Sequence, residues 1–160
     1  MKRALSIILI LTLAFSLCAC GSSSNDSVSM YDLQVAMLEA APSLPDMSTV
    51  NSSADDAAEL LTYVSDIDYD KVDGYFLAYS SEGLADEIFV MRLKSANDVP
   101  EAKETIETHV QSRISLFKSY SVDQVPRAED AKIYTEGKYV ILIICDEASQ
   151  VKTAFDNAVK

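Results

Sequence analysis

The fold is decided by one stretch near the C-terminus, Glu136-Gly137-Lys138-Tyr139-Val140-Ile141-Leu142-Ile143-Ile144-Cys145. A turn followed by an unbroken run of branched and aromatic residues of this length predicts a β-strand. Successive side chains of a strand point to opposite faces, and here both alternating sets are apolar. Exposing one set to water would forfeit about 1.5–3 kcal/mol for each aliphatic side chain. We therefore expect a sheet covered on both faces, either by the N-terminal helices or by a partner.

Around this strand the sequence predicts two units with the order strand, strand, helix. Residues 72–80 and 87–94 are predicted strands joined by a turn at 81–83, and residues 131–135 and 138–145 form the second pair. A helix follows each pair. The first has an apolar stripe at steps of three and four residues, formed by Val99, Ala102, Ile106, Val110, Ile114 and Phe117. The resemblance between the units indicates a weak repeat, although unrelated hairpins would produce the same pattern.

The expected fold class is α+β, with a four-stranded, mainly antiparallel sheet built from the two ββα units. We expect both unit helices on one face of this sheet. Additional N-terminal helices are predicted for residues 31–41 and for a segment that starts after Ser52 or Ser53 and ends near residue 65.

The N-terminus has the pattern of a lipoprotein signal peptide. Lys2 and Arg3 precede an apolar run that is too short and too polar for a spanning helix, and Leu17-Cys18-Ala19-Cys20 follows. This Leu-x-small-Cys pattern resembles the bacterial lipobox, in which the cysteine is acylated and becomes the first residue. Cys20 is the predicted lipidation site, because choosing Cys18 would place Leu17 where a small residue is expected. The alternative is an ordinary secretory signal cut near Ala19.

These signals divide the chain into a signal peptide (1–19), a lipidated flexible tether (20–30) and a single domain (31–160). The chain carries 13 Lys and Arg against 25 Asp and Glu. Removing Lys2 and Arg3 with the signal would change the net charge from −12 to −14. We expect no nucleic-acid partner for such an acidic chain, and we expect the acyl chains to hold it at the outer face of the membrane.

An acidic stretch before the first predicted strand begins like a calcium-binding EF-hand loop. Asp66, Asp68 and Asp70 alternate as its first ligands do, and Asp73 could join a looser cation site. Lys71 stands where that loop needs glycine, and Leu77 stands where it needs a bidentate glutamate. The sequence therefore favours a solvated acidic turn, and we assign no metal or other cofactor apart from the covalent lipid.

The sequence contains no complete catalytic motif. Ser115 with Lys118, and Ser149 with Lys152, match the Ser-x-x-Lys pattern of acyl-transfer enzymes but lack its companion motifs. His109, the single histidine, falls beside the apolar stripe and is predicted to be a surface or boundary residue. Cys145 follows an apolar run and is predicted to be a small buried hydrophobe.

The chain resembles an uncharacterised bacterial lipoprotein family, domain of unknown function 4358. The resemblance covers roughly residues 31–160. It depends on core sequence patterns, namely residues 85–90, a long helix with Arg113, the helix exit from Phe117 to Tyr120, and residues 137–142. It implies an envelope protein of the Gram-positive, Firmicutes type. It implies no activity, so no catalytic residue is carried over.

Three classes of function remain open. The chain could be a module that binds an envelope protein or peptide, an accessory subunit of a membrane complex, or a small envelope enzyme with an unrecognised site. A large apolar surface would favour the first two, and a polar pocket with perturbed carboxyl groups would favour the enzyme. We favour a non-enzymatic binding or accessory lipoprotein.

Overall fold

A computed structural model describes residues 28–160 as an antiparallel sheet of five strands with five α-helices around it. The strand order is β1-β2-β3-β5-β4, and each strand is antiparallel to its neighbours. The strands are β1 (Met47–Asn51), β2 (Val72–Ser80), β3 (Glu87–Leu93), β4 (Lys132–Glu136) and β5 (Tyr139–Ile144).

Strand β5 lies between β3 and β4, and all six of its residues are buried. Val140, Leu142 and Ile144 enter a hydrophobic core on one face of the sheet. The alternating residues Tyr139, Ile141 and Ile143 enter a second core on the other face. The prediction of a strand buried on both faces is therefore confirmed.

Helices cover the two faces unequally. The first face carries α2 (Ala57–Leu61), α3 (Val99–Tyr120) and α4 (Val125–Glu129), and α3 buries the predicted stripe from Ala102 to Phe117. The second face carries α1 (Met30–Glu39) and α5 (Ala148–Ala158), which also contact each other. The domain thus has three layers, with a sheet between two layers of helices.

The predicted four-stranded sheet is wrong, because β1 adds a fifth strand at the edge beside β2. Its sequence, Met47-Ser48-Thr49-Val50-Asn51, is short and largely polar, and every residue keeps some exposure. A half-exposed edge strand carries little of the apolar signal by which strands are recognised in a sequence. The segment forms a strand because it pairs with β2, which is distant in sequence.

The two unit helices also lie on opposite faces, whereas we expected them on one face. The reason is the apolar character of β5 on both sides, since α3 can cover Val140 and Leu142 but not Ile141 and Ile143. Helix α5 therefore covers the second face together with α1. Of the two N-terminal helices only α1 does so, because α2 packs on the first face.

The start of α2 differs in detail from the sequence expectation. Helix α2 begins at Ala57 with Asp56 as its N-cap, so neither Ser52 nor Ser53 caps it. Val28 packs against the second core, and its carbonyl oxygen accepts a hydrogen bond of 2.7 Å from Nη1 of Arg92.

Candidate functional site

A groove of about 480 Å³ opens on the first face of the sheet, between α2 and α3. We call it the α2–α3 groove. Because α2 has five residues and α3 has 22, the short helix leaves part of the sheet uncovered beside the long one. The sides and base of the groove are formed by Val50, Leu60, Tyr63, Val64, Leu77, Tyr79, Glu87, His109, Ser112, Arg113 and Leu116.

Apolar and aromatic side chains stand at the mouth of this groove. Tyr63 is 70% exposed, Leu116 is 53% exposed and Tyr79 is 37% exposed. Tyr63 comes from the turn after α2, Leu116 from the outward side of α3, and Tyr79 from β2. Exposed apolar groups that converge on a concave surface are typical of binding sites rather than of ordinary solvated surface.

The base of the groove contains a buried charged group, which we call the Glu87 cluster (Glu87, His109 and Arg113). Glu87 is 2% exposed. Its Oε1 lies 2.7 Å from Nε2 of His109, and its Oε2 lies 3.1 Å from Nε of Arg113. Glu87 is the first residue of β3 and shares a face with Phe89, while the two partners are four residues apart on α3. Helix periodicity therefore places both partners above one carboxylate.

Arg113 also fixes the loop between β2 and β3. Its Nη2 donates to the carbonyl oxygens of Leu84 and Ala85, at 3.2 Å each, and its guanidinium carbon lies 5.0 Å from the centre of the Phe117 ring. These contacts hold the start of β3 against α3. The guanidinium thus compensates the buried carboxylate, as a charge removed from water requires.

His109 occupies the boundary position that the sequence predicted, since its side chain is 12% exposed. The sequence did not reveal its partner, because Glu87 lies 22 positions away. Two signals were available: a glutamate at the start of an apolar strand, and His109 and Arg113 at helical spacing beside the stripe. The groove therefore offers apolar walls and, at its base, one imidazole held by a carboxylate.

Of the four aspartates in the weak cation site, Asp68 and Asp73 are engaged in other contacts. Asp68 Oδ1 accepts from the backbone N–H of Asp70 at 2.9 Å and caps the short 3-10 turn Tyr69–Lys71. Asp73 pairs with Arg92 across the sheet, and Asp66 is exposed beside a shallow pocket next to α3. Within residues 28–160, no three His, Cys, Asp or Glu side chains are arranged to hold a metal ion.

A second polar group lies at the same end of β3 as the Glu87 cluster. Arg127 donates to Asp86 Oδ1 at 2.9 Å and to Asp146 Oδ2 at 2.6 Å, and so links α4 to the start of β3 and the end of β5. Burial raises the pKa of the Asp86 carboxyl, and Arg127 partly offsets this. Neighbouring Cys145 is buried, makes no disulfide within residues 28–160, and has a thiol whose pKa burial raises to about 11. A thiol so rarely ionised is a packing group, as predicted.

The predicted lipidation site, Cys20, and the signal peptide lie outside the described residues. Among the helices of residues 28–160, none is long and apolar enough to cross a membrane.

The structure defines a three-layered α+β domain with a groove beside the edge strand of its sheet. Residues 46–145 match the family model described as a domain of unknown function, DUF4358, and the protein belongs to this family. The matched segment contains all five strands and the α2–α3 groove, whereas α1 and α5 lie outside it. No curated protein and no solved structure matches the chain.

Proposed function

We propose that this protein is a lipoprotein of the bacterial cell envelope that binds a partner through the α2–α3 groove. The observation that carries the binding role is the groove itself, where Tyr63, Tyr79 and Leu116 surround a base formed by the Glu87 cluster. Interface anchors are commonly aromatic side chains with one apolar and one polar end, and two tyrosines of this kind flank the groove.

The pattern Leu17-Cys18-Ala19-Cys20 supports anchoring at the membrane surface. Two acyl chains on Cys20 would hold the protein stably, since each buried CH₂ contributes about 0.8 kcal/mol and one chain alone binds marginally. The serine-rich residues 21–27 precede the first described residue, Val28, and would connect the lipid to the domain. Anionic lipid would repel the acidic domain, so the groove would face partners outside the membrane.

Anchoring is tested by cell fractionation. In Cys20→Ala, we expect the protein to move from the membrane fraction to the medium, or to remain unprocessed. Cys18→Ala is the matched control and should be processed and anchored like the wild type. A Cys20→Ala protein that stays on the membrane at the processed size would contradict the lipobox interpretation.

Binding at the groove is tested by photo-crosslinking in intact cells. A photoreactive residue replaces Tyr63 or Leu116 at the mouth of the groove, and Thr153 on the exposed side of α5 serves as the control position. We expect a discrete crosslinked product from the two groove positions and none from residue 153. Identical products at all three positions, or none at any, would contradict a binding role for the groove.

The hydrogen-bonded pair of His109 and Glu87 favours a second candidate, a small envelope enzyme, because such a pair can act as a general base. A nucleophile is the missing element. Ser112 also lines the groove, but its hydroxyl donates to the carbonyl oxygen of Thr108 at 3.0 Å, a common contact for a helical serine. The mostly apolar walls favour binding over hydrolysis.

A further inference from the structure

The outer edge of β1 presents backbone groups that no other part of the domain uses. Ser52 N–H donates to the Tyr75 carbonyl at 3.0 Å, and Ser81 N–H donates to the Asp46 carbonyl at 2.8 Å. In an antiparallel pair the residues alternate between facing the partner strand and facing away. Ser48 and Val50 therefore face β2, whereas Met47 and Thr49 direct N–H and C=O groups outward, where none finds a partner among residues 28–160.

This edge lacks the charges, prolines and bulges that often protect an edge strand. Charged residues, prolines and bulges discourage pairing with another chain. Strand β4, at the other edge, has Lys132 and Glu136 at its ends. Strand β1 has no charged residue and no proline, and its register with β2 is continuous. It is the edge open to addition of a further strand.

The open edge borders the α2–α3 groove. Val50 lines the groove, and Ser48 points to the same face of the sheet because it is two residues away. Their partners on β2, Leu77 and Tyr79, also line the groove. A chain paired with β1 would therefore direct alternate side chains toward Tyr63 and Leu60. Backbone pairing and side-chain insertion would then act together, as in other cases of strand addition.

The charge around this edge indicates what kind of chain would bind. Residues 28–70, which form α1, β1 and α2, contain nine Asp and Glu and no Lys, Arg or His. Asp46 precedes β1, Asp55 and Asp56 follow it, and Glu82 lies in the loop beside Asp46; all four are exposed. A second copy of this chain would bring like charges together, whereas a basic segment would be attracted.

We propose that β1 receives an extended, basic segment of a partner protein as a sixth strand, with alternate apolar side chains entering the α2–α3 groove. This inference rests on the proposed binding function and specifies its ligand class. Lysine or arginine side chains of the segment would be attracted by the acidic residues that flank β1, and its backbone would pair with Met47 and Thr49.

The test uses the detergent-solubilised full chain and a fluorescent nine-residue peptide of alternating lysine and valine, measured by fluorescence anisotropy. Thr49→Pro removes an outward N–H and leaves the pairing with β2 intact, because that N–H makes no bond to β2. We expect about a tenfold weaker affinity, equivalent to roughly 1.4 kcal/mol. Thr49→Val keeps the backbone donor and should bind like the wild type.

Changes to the peptide and to surface charge provide evidence that does not depend on folding of the proline variant. Methylating alternate backbone nitrogens of the peptide, on the edge that faces β1, should abolish binding. Replacing its lysines by glutamates should also abolish binding. Changing Asp46, Asp55 and Asp56 together to asparagine should weaken binding of the lysine peptide and reduce its salt dependence.

Binding that is indifferent to methylation and to Thr49→Pro, or no binding of the lysine peptide at low salt, would overturn this inference. A wild-type chain that dimerises by sedimentation, with Thr49→Pro monomeric, would assign the edge to a second copy and would also overturn it. If the lysine peptide does not bind in this way while crosslinks from Tyr63 and Leu116 persist in cells, the proposed groove function stands and strand addition is refuted. If both the peptide binding and the crosslinks are absent, strand addition and the groove function are both refuted.

Discussion

Glu87→Gln is expected to lower the free energy of unfolding by about 3 kcal/mol, at the low end of the range for breaking a buried ion pair. Glutamine has nearly the same shape as glutamate and can still accept a hydrogen bond from His109. Its amide group would then face Arg113, which would place a donor against a donor. The loss is expected at the low end of this range because the Arg113 side chain is 20% exposed. Arg113 would also keep its hydrogen bonds to the carbonyl oxygens of Leu84 and Ala85.

Thermal unfolding followed by circular dichroism measures this loss. For a domain of this size, 3 kcal/mol corresponds to a fall in Tm of roughly 10–15 °C. Glu107→Gln is the matched control on α3, the helix that carries the partners of Glu87, since Glu107 is exposed and pairs with Lys103 one turn away. Such a surface pair is worth about 0.3–0.5 kcal/mol, so the control should melt within about 3 °C of the wild type.

A double-mutant cycle with Arg113→Met tests whether the two residues act together. Arg113→Met should lower the free energy of unfolding less in the Glu87→Gln background than in the wild type. We expect a coupling energy above about 1 kcal/mol. If Glu87→Gln melts like Glu107→Gln, or if the two changes are additive, then Glu87 is not held by α3 and our description of the base of the groove is wrong.

Three further predictions concern the core, the acidic turn and the thiol. Ile143→Asp would bury an unpaired charge at a fully buried position, so unfolding should become easier by more than about 4 kcal/mol, and an unchanged melting curve would contradict the two-sided core. Millimolar Ca²⁺ should not raise Tm, because Asp68 is used as a cap; a rise that is lost when Asp66, Asp68 and Asp70 become asparagine would instead establish a cation site. With Cys18 and Cys20 changed to serine, Cys145 should resist iodoacetamide at pH 8 until urea unfolds the chain, because burial raises its thiol pKa to about 11. Rapid labelling of the folded protein would contradict this, whereas faster labelling as the pH approaches 11 is expected.

Features that depend on local periodicity could be predicted from the amino-acid sequence alone. It predicted the two-faced strand β5, the hairpin of β2 and β3, and the stripe by which α3 packs on the sheet. In each case one short segment contains the whole signal, because burial imposes a period of 2.0 on strands and 3.6 on helices. The boundary position of His109 and the burial of Cys145 followed from the same patterns. The lipidation of Cys20 stays a prediction.

The positions at which these elements meet became known from the three-dimensional fold. It identified β1 as a strand, placed α3 and α5 on opposite faces, and joined Glu87 to His109 and Arg113. The groove exists because a five-residue helix lies beside a 22-residue helix on the same face of the sheet. Each of these facts depends on residues far apart in sequence. A polar edge strand or a lone glutamate has no local pattern that specifies its partner, since pairing and charge compensation are fixed by packing.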